Sequence, residues 1–259
     1  MRLSTVHAEW TKLRTAPGTI WLLLAIVVLT MAVSAASSAA VICRPGGCAT
    51  DPTRISLTGV QLGQAAVAIL AVLMIGNEYG TGMIHISFTA MPRRTTVLVA
   101  KAAILAGIVA AAATVAVAGS WVAGRFILPG HGFTSANGHP LPSLSDGPVL
   151  RATAGSILYL TLIALLSLGT AAAVRDSASA IGIVLCLLYV FPILTQAVSD
   201  PHWRRHLDQV APMSAGLAVQ ATTDVGSLPI GPWAGLGVLA AWSAAALLAG
   251  GLLLRWRDA

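Results

Sequence analysis

The sequence predicts an all-α membrane protein of about six transmembrane helices, with an N-terminal amphipathic helix and both termini in the cytoplasm. The first observation behind this is the placement of charge. Charge-free stretches lie between Arg14 and Arg44, Arg54 and Glu78, Lys101 and Arg125, Arg151 and Arg175, Asp176 and Asp200, and Asp224 and Arg255. Even the shortest, such as residues 55–77, is 23 residues long, and a helix needs roughly 20 apolar residues to cross the hydrocarbon core. Backbone inside lipid must satisfy its own hydrogen bonds, so such segments read as helices. The second observation is composition: 56% of residues are hydrophobic and 9% charged, against about 25% charged in a soluble domain. The third is charge asymmetry. With six spans and cytoplasmic termini, Arg2, Lys12, Arg14, Arg93, Arg94, Lys101, Arg175, Arg255 and Arg257 fall inside. Arg44, Arg54, Arg125, Arg151, Arg204 and Arg205 fall outside, so the basic residues divide nine to six and favour that orientation.

Residues 1–18 form the expected amphipathic helix. Leu3, Val6, Trp10 and Leu13 recur at helical spacing, with Arg2, Glu9 and Lys12 mostly on other faces, before Pro17-Gly18 breaks the pattern. The segment suits the membrane surface, with Trp10 at headgroup depth, or a simple basic anchor. The first span, about 19–42, is too long for the apolar region of a cleavable signal and is expected to be permanent. Cys43 and Cys48 then flank Arg-Pro-Gly-Gly in the first external loop. An extracytoplasmic turn there permits either a disulfide or two free thiols, and two sulfurs without nearby His leave a zinc tetrahedron open.

The second span, about 57–75, carries Gln61 and Gln64 on one side, beside Gly59 and Gly63 at the spacing of a close helix contact. These residues line a pathway or a dimer seam, or they make ordinary interhelical hydrogen bonds at a small-residue contact. The connector from Gly76 to Thr96 holds Asn77-Glu78-Tyr79, then Pro92-Arg93-Arg94, with Lys101 just inside the third span, about 97–123. Ile84, Phe88 and Met91 fall on one stripe of a short helix that Pro92 would end. A loop apolar on one side and basic at its exit suits docking to a soluble partner, or a surface turn on anionic headgroups.

The fourth and fifth spans, about 152–174 and 177–198, follow a long external segment rich in Gly and Pro. Cys186 sits within the fifth as a packing residue. Asp200-Pro201 then reads as a helix start. Trp203, Leu207 and Val210 share a face, Arg204 and Asp208 are spaced for an ion pair, and Pro212 ends the helix. The apolar Met213–Thr222 segment is too short to cross and reads as an interfacial or re-entrant excursion before the sixth span, about 232–254, and a tail over 255–259. His202 and His206 are four apart, but no third metal ligand is evident.

Several function classes fall away. The formal charge of +6 comes with no basic patch of interleaved aromatics, which argues against nucleic acid. The span cores hold no Asp, Glu, His or Arg, which argues against proton relays and ion coupling. There is no His-Glu-x-x-His pair, no Gly-x-Ser-x-Gly elbow and no phosphate-binding Gly-x-x-x-x-Gly-Lys-Ser/Thr loop. The expectation is a chain with no catalytic residues, metal or cofactor of its own.

Five pieces of sequence, in order along the chain, carry a resemblance. They are Glu9-Trp10-Thr11-Lys12-Leu13-Arg14-Thr15, then Asn77-Glu78-Tyr79 with Pro92-Arg93-Arg94 and Lys101. Ala211-Pro212-Met213-Ser214-Ala215-Gly216, Gly231-Pro232-Trp233-Ala234-Gly235 and Arg255-Trp256-Arg257-Asp258-Ala259 follow. With its six spans, the chain resembles the membrane subunits (permeases) of ABC-2 type ATP-binding cassette transporters. The resemblance implies a half-transporter in the cell membrane that pairs with a second permease subunit, the same or homologous. It also implies docking to a separate cytoplasmic ATPase that binds ATP and Mg. In that family the N-terminal helix and the connector after the second span contact the ATPase, which implicates Glu9, Trp10, Lys12, Arg14, Glu78, Tyr79, Arg93 and Arg94. The glycine-rich connector departs from a well-formed coupling helix. The alternative is a non-enzymatic membrane module, a channel or sensor anchor, without an ATPase. An enzyme acting on lipids would have only His202, His206 and Asp208 to work with.

Overall fold

The computed structural model describes residues 17–43, 50–80, 94–134 and 143–256. The amphipathic helix expected over 1–18 therefore lies almost wholly outside the described residues. So do Cys48, the apolar stripe of Ile84, Phe88 and Met91, and the tail beyond Trp256. Among the described residues, six helices are long and apolar enough to cross a membrane: Gly18–Ala40, Pro52–Gly76, Val97–His131, Gly147–Val174, Ser177–Ala197 and Pro232–Leu254. Among the described residues there is no strand. The chain is a multi-pass α-helical membrane protein.

Several helices outrun the charge-defined stretches. The second span's helix runs on to Gly80, so Asn77, Glu78 and Tyr79 form its last turn rather than a loop. The third helix, Arg94–Ile127, is 34 residues long, about 51 Å at 1.5 Å per residue, well beyond the roughly 30 Å of hydrocarbon. Helical hydrogen bonding does not stop where lipid stops; it stops where the chain must turn. Here the turn is a 3₁₀ segment, Leu128–His131, followed by Gly132 at φ +92°. A Cβ at Gly132 would also fall 2.4 Å from the Cys43 carbonyl oxygen, so both backbone conformation and space demand glycine. Pro17 occupies the first position of the first helix, where its missing N–H is harmless.

The second and fourth spans form the interior, with 67% and 56% of their apolar windows buried against 17 to 28% for the other four. The fourth span packs on the second, third, fifth and sixth. The first packs on the second and third through Thr30, Ser34 and Ser38, a buried stripe at four-residue spacing. The Ser34 hydroxyl accepts the Gly59 N–H at 3.1 Å. A Cβ at Gly59 or Gly63 would fall about 2 Å from the Thr30 carbonyl or hydroxyl oxygen, at 1.9 and 2.1 Å. These two glycines thus seat the first span inside the chain, the close-approach use of small residues.

The sixth span meets the fourth the same way: a Cβ at Gly169 would lie 2.5 Å from Ala246 backbone, and one at Gly250 2.7 Å from the Gly169 carbonyl oxygen. Arg175 and Asp176 alone join the fourth and fifth spans, with Arg175 in the left-handed region at φ 65°. The fifth span is not uniform. Ser177–Leu185 is α-helix, Cys186–Val190 is a π turn, and Phe191–Ala197 resumes α-helix around Pro192. Pro192 has no N–H for the Leu188 carbonyl, and the Phe191 N–H reaches back to Cys186 instead, so the proline accounts for the π turn.

Candidate functional site

The segment between the fifth and sixth spans is where the fold does something that lone spans cannot. Asp200 caps helix Pro201–Val210 by accepting the His202 N–H at 2.8 Å. That helix has no buried residue, and its Asp208 does not pair with Arg204. Its carboxylate instead accepts the Thr195 hydroxyl at 3.1 Å, because the turn at Val198–Asp200 folds the helix back beside the end of the fifth span. His202 and His206 meet edge to face, ring centroids 4.5 Å apart. No group of three or more His, Cys, Asp or Glu able to hold a metal occurs among the described residues.

Pro212 both ends that helix and opens the next, Pro212–Leu217, which continues as a 3₁₀ turn, Ala218–Gln220. From Ala211 to Ala221 every residue is buried except Met213 and Ser214, which are half-buried. The segment enters the helical bundle. Gly216 lies against the Tyr159 ring, Gly155 against Val219, and Gly235 against the Ala215 carbonyl, each too close for a Cβ. Tyr159 stands twelve residues into the helix that begins at Gly147, about 18 Å along its axis, so this is a re-entrant insertion rather than a surface loop.

Neutral polar groups hold its inner end. Gln64 is fully buried; its Oε1 accepts a short hydrogen bond from the Tyr159 hydroxyl, and its Nε2 donates to Met213 Sδ at 3.3 Å. Gln61 is half-buried, and its backbone carbonyl accepts the Tyr189 hydroxyl at 2.5 Å, so the π turn of the fifth span is tied to the second. Further out, Gln220 Nε2 donates to the Ser156 hydroxyl at 3.0 Å. Gln64 is thus a buried interhelical tie; its amide faces neither a surface seam nor open space.

The outer end is held by an ion. Asp51, 8% exposed, caps the start of the second span by accepting the Thr53 and Arg54 N–H groups at 3.0 and 3.3 Å. The same carboxylate accepts the Thr222 N–H at 2.5 Å, the Thr222 hydroxyl at 2.7 Å and the Thr223 N–H at 3.1 Å. Arg151 donates to the Ala221 carbonyl from the fourth span at 2.5 Å. Adjacent residues of one return loop are therefore gripped by an anion from the second span and a cation from the fourth. Nothing in the apolar periodicity marks Asp51, but Asp before Pro is the same start signal read at Asp200-Pro201.

The residues expected to couple to a partner fall largely outside this description. Glu9, Trp10, Lys12, Arg14 and Arg93 lie outside the described residues, while Glu78, Tyr79 and Arg94 lie at helix ends on the same side of the bundle. Cys43 is disulfide-bonded and Cys186 is free; Cys48 is the remaining cysteine of the sequence. The Cys43 N–H donates to the His131 carbonyl at 2.8 Å, joining the chain just after the first span to the Gly132 turn.

Compared with known proteins, the chain matches no protein-family model and no curated protein. The fold and its interior define the class: a six-span α-helical membrane protein whose segment between the fifth and sixth spans re-enters the bundle.

Proposed function

We propose that the chain is the membrane subunit of an ATP-driven exporter of the ABC-2 type, in the cell membrane. It would pair with a second permease subunit and dock a separate cytoplasmic ATPase that supplies ATP and Mg chemistry. The observation that carries this reading is the re-entrant Pro212–Gln220 segment directly before the last span, seated on Gln64 and Tyr159. An element that plugs a bundle from one side, held by neutral hydrogen bonds, suits a pathway closed on that side and opened by tilting of the spans. The Asn77-Glu78-Tyr79 turn, which continues the second span's helix beyond the apolar stretch, gives a rigid lever from the opposite face to Gln64 on the same helix. Closure of an ATPase dimer on that lever and on the N-terminal segment would move Gln64 relative to Tyr159 and Met213. A cargo is exported only if it binds the two resulting states with different affinity. Spans without Asp, Glu, His or Arg in their cores, with Lys101 buried near the start of the third, favour an amphiphilic or hydrophobic cargo, since a strongly cationic solute finds no partner there.

The test is co-purification of the C-terminally tagged chain from mild detergent, read by mass spectrometry and ATPase activity. A stoichiometric ATP-binding-cassette subunit is the expected result. Its reproducible absence from well-folded preparations overturns the proposal in favour of a channel or sensor anchor.

A further inference from the structure

On the outside of the bundle, between the third and sixth spans, lies a groove of about 600 Å³ lined by Leu98, Val99, Ala106, Leu165, Leu248 and Gly251 among others, every lining residue being apolar. Its volume is that of a ligand pocket, roughly 300 to 1,000 Å³. Small residues make it. Gly250 is used for packing, its Cα face pressed on the Gly169 carbonyl, but a Cβ at the neighbouring Gly251 would meet only a Leu98 methyl at 3.7 Å. Gly251 therefore leaves space where its neighbour closes it, and Ala102, Ala103 and Ala106 leave space on the facing helix.

The groove has a direction. The third helix starts, and the sixth ends, on one side of the bundle, and all lining residues but Leu165 of the fourth span belong to those two ends. Arg94 is the first residue of the third helix, one turn before Leu98; Arg255 is in the last turn of the sixth, one turn after Gly251. Four residues of helix rise about 6 Å, which sets both arginine positions beyond the groove, at the helix ends. Neither helix contains an Asp or Glu. An apolar slot with an arginine position one turn beyond it on each of the two helices matches one ligand chemistry, an acyl chain beneath a negatively charged headgroup.

We infer that this groove is a binding site for one anionic membrane phospholipid, with an acyl chain between the third and sixth spans and the headgroup at the level of Arg94 and Arg255. The inference does not depend on an ATPase partner. Delipidated protein titrated with phosphatidylglycerol or phosphatidylcholine of the same acyl composition, and read by native mass spectrometry, tests it. The expected result is one phosphatidylglycerol adduct with affinity about tenfold above that for phosphatidylcholine. Gly251→Leu, whose Cβ meets only a Leu98 methyl and whose side chain enters the slot, should lose that adduct while elution profile and helix content stay unchanged. The double variant Arg94→Gln/Arg255→Gln should keep a lipid adduct but bind the two headgroups alike. If Gly251→Leu folds poorly, the double variant alone decides. Equal affinities in the unmodified chain, or a preference that survives both variants, would overturn the site. A dimer weakened by Gly251→Leu with lipid adducts unchanged would overturn it too, assigning the groove to a second copy.

Discussion

Asp51 accepts hydrogen bonds from Thr53, Arg54, Thr222 and Thr223, groups from a helix start and a loop some 170 residues apart in sequence. A buried carboxylate holding several donors contributes about 1.5–3 kcal/mol per charged hydrogen bond in gross terms, far from additively. Asp51→Ala strips both the cap and the loop tie, and is expected to cost about 2–4 kcal/mol, seen as a lower midpoint in thermal unfolding followed by size-exclusion in detergent. Asp51→Asn keeps an acceptor for Thr53, Arg54 and the Thr222 hydroxyl but turns an amide toward the Thr222 and Thr223 N–H groups. Its midpoint should fall between those of the wild type and Asp51→Ala. An Asp51→Ala protein as stable as wild type would show that the tie is dispensable. On the opposite face, Asp176 caps the fifth span, and its carboxyl is held below the usual range by the Ser179 hydroxyl and then its N–H, with the N–H at 2.7 Å. A depressed carboxyl stabilises the fold fully above its unfolded value of about 3.9 and loses that contribution as pH falls through the lower folded value. Asp176→Asn should therefore flatten the acid limb of stability below about pH 4 and change little at neutral pH.

Helix contacts in this chain are decided by single glycines and one proline. A methyl at Gly250 would press on the Gly169 carbonyl oxygen at 2.7 Å, whereas one at Gly251 meets open space and a leucine methyl. Gly250→Ala is expected to destabilise by roughly 1–3 kcal/mol through overpacking between the fourth and sixth spans. Gly251→Ala should be neutral or slightly stabilising, since alanine is the better helix former. The pair differs by one position and one methyl, so a thermal-shift comparison isolates the contact; equal midpoints would remove the tight packing from the account. Pro192 acts differently, by deleting a donor, and the resulting π turn sends the Tyr189 hydroxyl to the Gln61 carbonyl. A small-residue spacing is visible in the sequence at Gly59 and Gly63. The partner of that face, the Thr30–Ser34–Ser38 stripe of the first span, is equally periodic, yet two such stripes announce contact without saying with which helix.

As a six-span assembly, the chain puts the start of its first helix at Pro17 and the Glu78 turn on one face and the Asp51 and re-entrant ties on the other. If the first face is cytoplasmic, a reporter fused after Ala259 should be active only inside the cell. Activity outside would invert the bundle and with it the ATPase proposal. Within the proposed exporter, Glu78→Ala or Glu78→Lys should leave membrane insertion intact and ATP hydrolysis by the partner measurable, while export falls by an order of magnitude or more, about 1.4 kcal/mol of lost coupling per tenfold. Unchanged export would take Glu78 out of the lever.

The existence and number of the spans were readable in the amino-acid order because lipid imposes a one-dimensional rule: about 20 residues without charge, with all backbone bonds made locally. Helix starts at Asp200-Pro201 and Asp51-Pro52 follow from equally local capping chemistry. Local rules do not reach further than that. The long third helix, the Asp208–Thr195 bond in place of a pair with Arg204, and the burial of Gln64 under Met213 depend on which elements lie side by side. That choice is made among many apolar surfaces of similar free energy. It is settled by a few glycines, prolines and polar ties, whose partners stand some 25 to 171 residues away in the chain.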